Sequence, residues 1–77
     1  MAASLRILFV EDEAAILEPF SRALRRSGFD VLPAESAAEA LDRFERTPPD
    51  LVLLDLALPD GDGRDVCREM RRRSRAP

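Results

Sequence analysis

Leu51-Val52-Leu53-Leu54 is apolar throughout, with no polar residue alternating in, and Asp55 follows at once. A strand that faces water on one side alternates. An unbroken apolar run reads as a strand covered on both faces, as in a parallel sheet between two layers of helices. Parallel neighbours cannot be joined by a tight turn and need a crossover, usually a helix. One such strand therefore requires strand–helix repeats elsewhere in the chain.

The sequence supplies them. Leu5-Arg6-Ile7-Leu8-Phe9-Val10 is a short apolar run that ends in acids, a first strand at about 5–10. Ile16, Leu17, Phe20, Ala23 and Leu24 then recur at helical spacing, and Ser27-Gly28 closes a helix of about 14–27. Pro19 lies inside it and removes a backbone donor, so the helix either begins late or kinks there. Phe29-Asp30-Val31-Leu32 reads as a second strand, ended by Pro33. Ser36-Ala37-Ala38-Glu39 is a capping-box pattern that opens a second helix at about 37–46, with Ala40, Leu41 and Phe44 as its buried stripe. Thr47-Pro48-Pro49 stops that helix before the strand at about 51–54.

Asp55 to Gly63 holds Pro59, Gly61 and Gly63 and reads as a loop. Asp62 is placed to cap a third helix at about 63–74, with Asp65 in its first turn and Val66, Cys67 and Met70 on its buried face. Strand, helix, strand, helix, strand, helix builds an open parallel sheet with helices on both faces.

The chain is short for that architecture. Its 77 residues make one small domain, and a domain of this size buries only about 60% of the surface its unfolded chain exposes. Apolar residues at 45% and charged residues at 35% fit a folded domain and argue against disorder. No apolar run approaches the roughly 20 residues of a membrane span, and the first residues lack the pattern of a signal peptide. The lone Cys67 excludes an intrachain disulfide and agrees with a cytoplasmic setting. With no histidine, the usual general base and metal ligand are missing.

Chemistry is concentrated in the acids. Glu11, Asp12 and Glu13 follow the first strand, and Asp55 follows the third. Open α/β sheets bind ligands beyond the carboxyl ends of the strands, where strand order reverses. In the order 2-1-3 the first and third strands are neighbours, and Glu11, Asp12 and Asp55 converge. Two carboxylates 4 Å apart repel by about 4 kcal/mol at an effective dielectric near 20, so the cluster calls for a proton or a cation. Oxygen ligands with open positions suit Mg²⁺, which also binds phosphoryl oxygens. The blander reading is that Asp12 or Glu13 merely caps the first helix. Asp55 resists it, because a Pro/Gly-bearing segment separates it from the next helix.

Ile7-Leu8-Phe9-Val10-Glu11-Asp12-Glu13 and Leu51-Val52-Leu53-Leu54-Asp55-Leu56-Ala57-Leu58-Pro59-Asp60-Gly61-Asp62-Gly63 together resemble the receiver domain of two-component response regulators. The likeness runs from about Leu5 to the C-terminus. It implies a truncated flavodoxin-like (βα)3 three-layer fold that lacks the family's last two βα units, so that residues 1–77 are a partial receiver domain. It implies a phosphoacceptor module in a transcriptional regulator, not an enzyme in its own right. Asp55 would take the phosphoryl group from a sensor histidine kinase. Asp12 and Asp55 would bind Mg²⁺, Glu11 would do so directly or through water, and the Ala57 backbone carbonyl would complete the protein's share. Pro59 and Gly63 would shape the loop holding that carbonyl.

The same resemblance places a phosphate-contacting hydroxyl and a lysine on strands beyond Pro77, and this chain has no lysine. Impaired phosphorylation is therefore expected here. The third strand is expected to form a sheet edge that invites a homodimer, and a truncated receiver acting purely as an interaction module is the competing function. DNA would be reached through an effector domain outside these residues, and no membrane contact is expected.

Three other readings fail on particular residues. An aspartyl-nucleophile phosphatase of the haloacid-dehalogenase type needs an acid two residues after the nucleophile, where Ala57 stands. A calcium loop counted from Asp60 would need glycine at Asp65. The arginines from Arg64 to Arg75 alternate with Asp65 and Glu69, the pattern of a solvated helix face rather than a nucleic-acid patch.

Overall fold

The computed structural model describes residues 4–55, 57–58 and 60–74. Its elements run β1 (Arg6–Val10), α1 (Ala14–Arg26), β2 (Asp30–Ala34), α2 (Ala37–Arg46), β3 (Leu51–Leu54), β4 (Ala57–Leu58), β5 (Gly61–Asp62) and α3 (Gly63–Ser74). The first three strands form a parallel sheet in the order β2-β1-β3. This is the open parallel (βα)3 sheet that the alternation of elements predicts, in the expected order 2-1-3.

The register divides the side chains between two faces, because successive strand residues point to opposite sides. Leu8 and Val10 of β1, both fully buried, pack with Ala34 of β2, Ala37 and Ala40 of α2, and Val66 and Met70 of α3. Val52 and Leu54 of β3 lie against the same cluster. Complete burial of Leu8 or Val10 stabilises the fold by about 1.5–3 kcal/mol each, so this face carries the larger share of the core.

The other face belongs to α1. Leu17 and Ser21 are its buried residues, and the Ser21 hydroxyl has no hydrogen-bond partner among the described residues. The periodicity of α1 suggests a wider buried stripe than the structure shows. Phe20 is 58% exposed and Ala23 is exposed as well. The helix packs mainly on β2 and β1. Phe20 meets the ring of Phe9 edge-on at 6.2 Å instead of entering the core.

The same offset corrects the reading of β3. The unbroken apolar run implies cover on both sides, yet Leu51 is 50% and Leu53 38% exposed. Val52 and Leu54 are half-buried on the α2–α3 side, so β3 is a half-covered edge strand. Pro33 does not end β2 either, because the strand continues through it to Ala34. Inner bonds to β1 come from the neighbours of Pro33, including Glu11 N to Ala34 O at 2.9 Å. Pro33 thus occupies an outward position on an edge strand, where a missing N–H costs no ladder bond.

Local signals account for most boundaries. Pro19 lies within α1, which runs unbroken from Ala14. Ser36 caps α2 by accepting the Glu39 N–H at 3.2 Å, while Glu39 reaches back to the N–H of Glu35 rather than to that of Ser36. Gly28, at φ 97°, takes the left-handed turn after α1 that an L side chain resists. Asp62 Oδ1 accepts the Arg64 N–H at 2.8 Å and caps α3.

Candidate functional site

The pairing of β1 with β3 builds the site. Val10 lies opposite Leu54, so Glu11 and Asp55 are each one residue past a strand end. Both are pinned by backbone bonds, Glu11 N to Ala34 O at 2.9 Å and Asp55 N to Val10 O at 3.0 Å. One carboxylate oxygen from each of Glu11, Asp12 and Asp55 lies within 4.8 Å of the others. Glu11 and Asp55 are half-buried and Asp12 is exposed.

At this spacing each pair of ionised carboxylates repels by roughly 3–4 kcal/mol at an effective dielectric near 20. Glu11 registers the strain. Its pKa is raised, first by loss of solvent, with further contributions from the charge of Asp55 and from the hydrogen bond and charge of Asp12; the Glu13 N–H that bonds its carboxylate opposes the rise. A cation would relieve the crowding, and an all-oxygen donor set with an exposed member fits a hard ion that keeps some of its water.

Helix capping does not explain Glu13. It occupies the N-cap of α1, but its side chain makes no capping bond, and the first turn of α1 contains no acid. The Glu13 N–H instead donates to Glu11 Oε2 at 3.2 Å, which orients the Glu11 carboxylate.

The segment after Asp55 is not the plain loop that its Pro/Gly content suggests. It contains a small antiparallel hairpin in which Ala57 pairs with Asp62 and Leu58 with Gly61. Ala57 thus carries its carbonyl on a hydrogen-bonded strand, two residues past Asp55. Gly63 is buried and opens α3 directly after the hairpin. Pro59, assigned a loop-shaping role from sequence, lies outside the described residues.

Sequence reasoning gave Asp60 no role beyond a rejected calcium loop. Asp60 Oδ1 accepts the N–H of Ala37 at 2.7 Å, and its Oδ2 accepts that of Ala38 at 3.1 Å. These bonds hold the Asp60 carboxyl below its usual pKa. No local pattern could have revealed them, since the partners are 23 and 22 residues away.

The chain resembles known proteins along nearly its whole length. A sequence profile for the response regulator receiver domain matches residues 7–77. The chain is 44% identical over 71 residues to the sensory transduction protein RegX3 of Mycolicibacterium smegmatis, covering 92% of this chain and 31% of that protein. It is 44% identical over 72 residues to the DNA-binding response regulator MtrA of Mycobacterium leprae, covering 94% of this chain and 32% of that one. It thus spans about a third of the length of these curated relatives. Among solved structures, response regulator protein TrrA of Thermotoga maritima, in complex with Mg(2+)-BeF, superposes with a TM-score of 0.86 at 37% identity, covering 92% of this chain and 62% of that one. Receiver domains are regulatory modules rather than conventional enzymes. The strand order, the acids at the tips of β1 and β3 and the match along nearly the whole chain agree, and the chain belongs to the response regulator receiver family.

Proposed function

We propose that this chain is the phosphoacceptor part of a response regulator, taking a phosphoryl group on Asp55 from a sensor histidine kinase with Mg²⁺ held at the acidic cluster. The observation that carries this reading is the approach of Glu11, Asp12 and Asp55 to within 4.8 Å of one another at the ends of adjacent parallel strands. The Mg(2+)-BeF complex of the Thermotoga protein supports the choice of ion.

In the transfer, an Asp55 carboxylate oxygen attacks phosphorus and the P–N bond of a phosphohistidine breaks. The electron pair returns to the imidazole nitrogen, and Asp55 becomes an acyl phosphate. Bound Mg²⁺ supplies positive charge to the carboxylates and the phosphoryl oxygens. Asp12, Asp55 and Glu11, with the Ala57 carbonyl, are the groups of this chain that would hold the ion. The β1–β3 ladder fixes the Asp55 backbone, so positioning rather than acid–base chemistry is the protein's contribution. Pro59 and Gly63 keep the assignment of shaping the segment that presents Ala57.

The description of MtrA as DNA-binding supports a place for this module in a transcriptional regulator, with DNA bound by an effector domain outside these residues. Among the described residues no helix is long and apolar enough to cross a membrane. A cytoplasmic partnership with the kinase domain is the setting this reading assigns.

The exposed Leu51 and Leu53 favour a second reading, a homodimer formed through the β3 edge with Asp55 unphosphorylated. Incubation with a small phosphodonor separates the two. Intact-protein mass spectrometry should show the addition of one phosphoryl group with Mg²⁺ present and none after chelation or in Asp55→Asn. An unmodified wild-type chain that sediments as a dimer would reverse the order of the two readings.

A further inference from the structure

We propose that Asp60 is a positioning residue for the metal site, its carboxylate tying the β4–β5 hairpin, and with it Ala57, to the N-terminus of α2. The inference rests on the reading just given, in which Ala57 offers its carbonyl to Mg²⁺.

A ladder of two residue pairs is marginal by itself, so the hairpin takes its position from what it is anchored to. One anchor is apolar. Leu58 is buried in the cluster that contains Ala37 and Ala40, and a Cβ added at Gly61 would stand 3.7 Å from the Cβ of Ala37. Apolar burial of Leu58 and the close approach of Gly61 to α2 set how near the hairpin lies, but such packing is not directional. The other anchor is directional. Asp60 engages two successive N–H groups, at 2.7 and 3.1 Å, which fixes both the position and the rotation of the hairpin over the helix end.

The helix does not depend on Asp60 for a cap. Ser36 already serves the N–H of Glu39, the usual local arrangement. Asp60 takes the two preceding donors from a distant part of the chain, and charge at this end is favoured by the helix dipole. The bond therefore joins two elements more than it completes one. Its location gives it a consequence for the site, because the hairpin that it clamps starts two residues past Asp55 and runs directly into α3. A small octahedral ion tolerates little error in ligand position, so a looser hairpin weakens its binding.

The test is a Mg²⁺ titration of the full chain followed by ¹⁵N–¹H NMR at Asp12 and Asp55, at a temperature where every variant is folded. Asp60→Ala should weaken Mg²⁺ binding roughly tenfold, the scale seen when the support of a metal ligand is removed. Asp60→Asn, which keeps an acceptor oxygen, should fall between Asp60→Ala and wild type. A residue that merely stabilised α2 would lower the melting temperature and leave the affinity of the folded chain unchanged. If Asp60→Ala shifts the Ala37 and Ala38 amides but binds Mg²⁺ within twofold of wild type, the inference is wrong and the site stands. Should Asp60→Ala fail to fold, unchanged affinity in Asp60→Asn decides against it equally. Asp12→Ala should abolish the Mg²⁺ response at Asp55, and a wild-type chain whose Asp12 and Asp55 signals ignore Mg²⁺ overturns the site reading and this inference together.

Discussion

The Nε–H of Arg43 on α2 donates to the Pro33 carbonyl on β2 at 2.7 Å. From the opposite side of the sheet, Arg25 on α1 donates to the Val31 carbonyl at 3.3 Å. Val31 and Pro33 are the β2 residues whose backbone faces away from β1, and Pro33 has no N–H to offer. Two arginines from different helices thus occupy the carbonyls of this edge, and little remains for an incoming strand to bind. Arg43→Ala should cost about 1 kcal/mol, the usual net worth of such a bond, and should increase self-association. Urea denaturation and light scattering on the same samples check both.

The β3 edge has the opposite character. Leu51 and Leu53 expose their side chains on the face away from α2 and α3, and Leu53 lines a shallow groove with the exposed Phe20. Leu53→Lys should suppress association at that edge while leaving the fold intact, because the side chain is more than a third exposed and lies outside the main cluster. Sedimentation velocity over a range of concentrations should show the variant staying monomeric where the wild type does not. A wild type that is monomeric throughout would remove the dimer reading.

The raised pKa of Glu11 gives the fold a pH dependence. The folded chain holds this proton more tightly than the unfolded chain does. The associated stability is present at acid pH and lost as pH rises through the folded pKa. Glu11→Gln removes the charge but keeps an oxygen for the Glu13 N–H. At pH 7 without Mg²⁺ it should melt slightly higher than the wild type, by a margin that solvent screening keeps small. Below pH 4 the gain should vanish. With saturating Mg²⁺ the order should reverse, since the wild type gains from binding what the variant has given up. Differential scanning calorimetry at the two pH values, with and without the ion, follows all of these.

How much of this was legible in the sequence depends on how local each signal is. The strand–helix alternation, the Ser36 cap and the acids past β1 and β3 are written in short stretches of residues, and the fold and the meeting of Glu11, Asp12 and Asp55 follow from them. The exposure of Leu51, Leu53 and Phe20 was not legible, because periodicity shows which residues share a face and not whether another element covers it. Pro33 misled for a related reason, since a proline ends a central strand but sits comfortably on an outward edge position. The hairpin within 55–63 and the Asp60 contact depend on where α2 arrives in space, which no window around them encodes.

Acid should loosen α3 before it melts the rest. The Glu69 carboxylate accepts from Arg72 and from Arg73, and Arg73 also pairs with Glu45 of α2 at 2.9 Å. Hydrogen bonds from Arg72 and Arg73 hold the Glu69 pKa down at about 2, below its ordinary 4.5. A depressed carboxyl contributes stability that is present above the unfolded value and is lost as pH falls. The window runs from about 4.5 toward 2. Over it, protonation of Glu69 releases Arg73 from the arrangement in which it also meets Glu45. Glu69→Gln should therefore be less stable than wild type at neutral pH, with the difference closing as the pH is lowered through this range. Half-molar salt should shrink the neutral-pH difference, because these side chains are solvent-accessible and their attraction is screened. Asp60, whose pKa is also depressed, titrates over an overlapping range, so the variant should keep part of the wild-type acid transition rather than lose it all. Stability curves from pH 2 to pH 7 for wild type, Glu69→Gln and Asp60→Asn would resolve the two contributions. Parallel curves for wild type and Glu69→Gln at every pH would rule out the role assigned to Glu69.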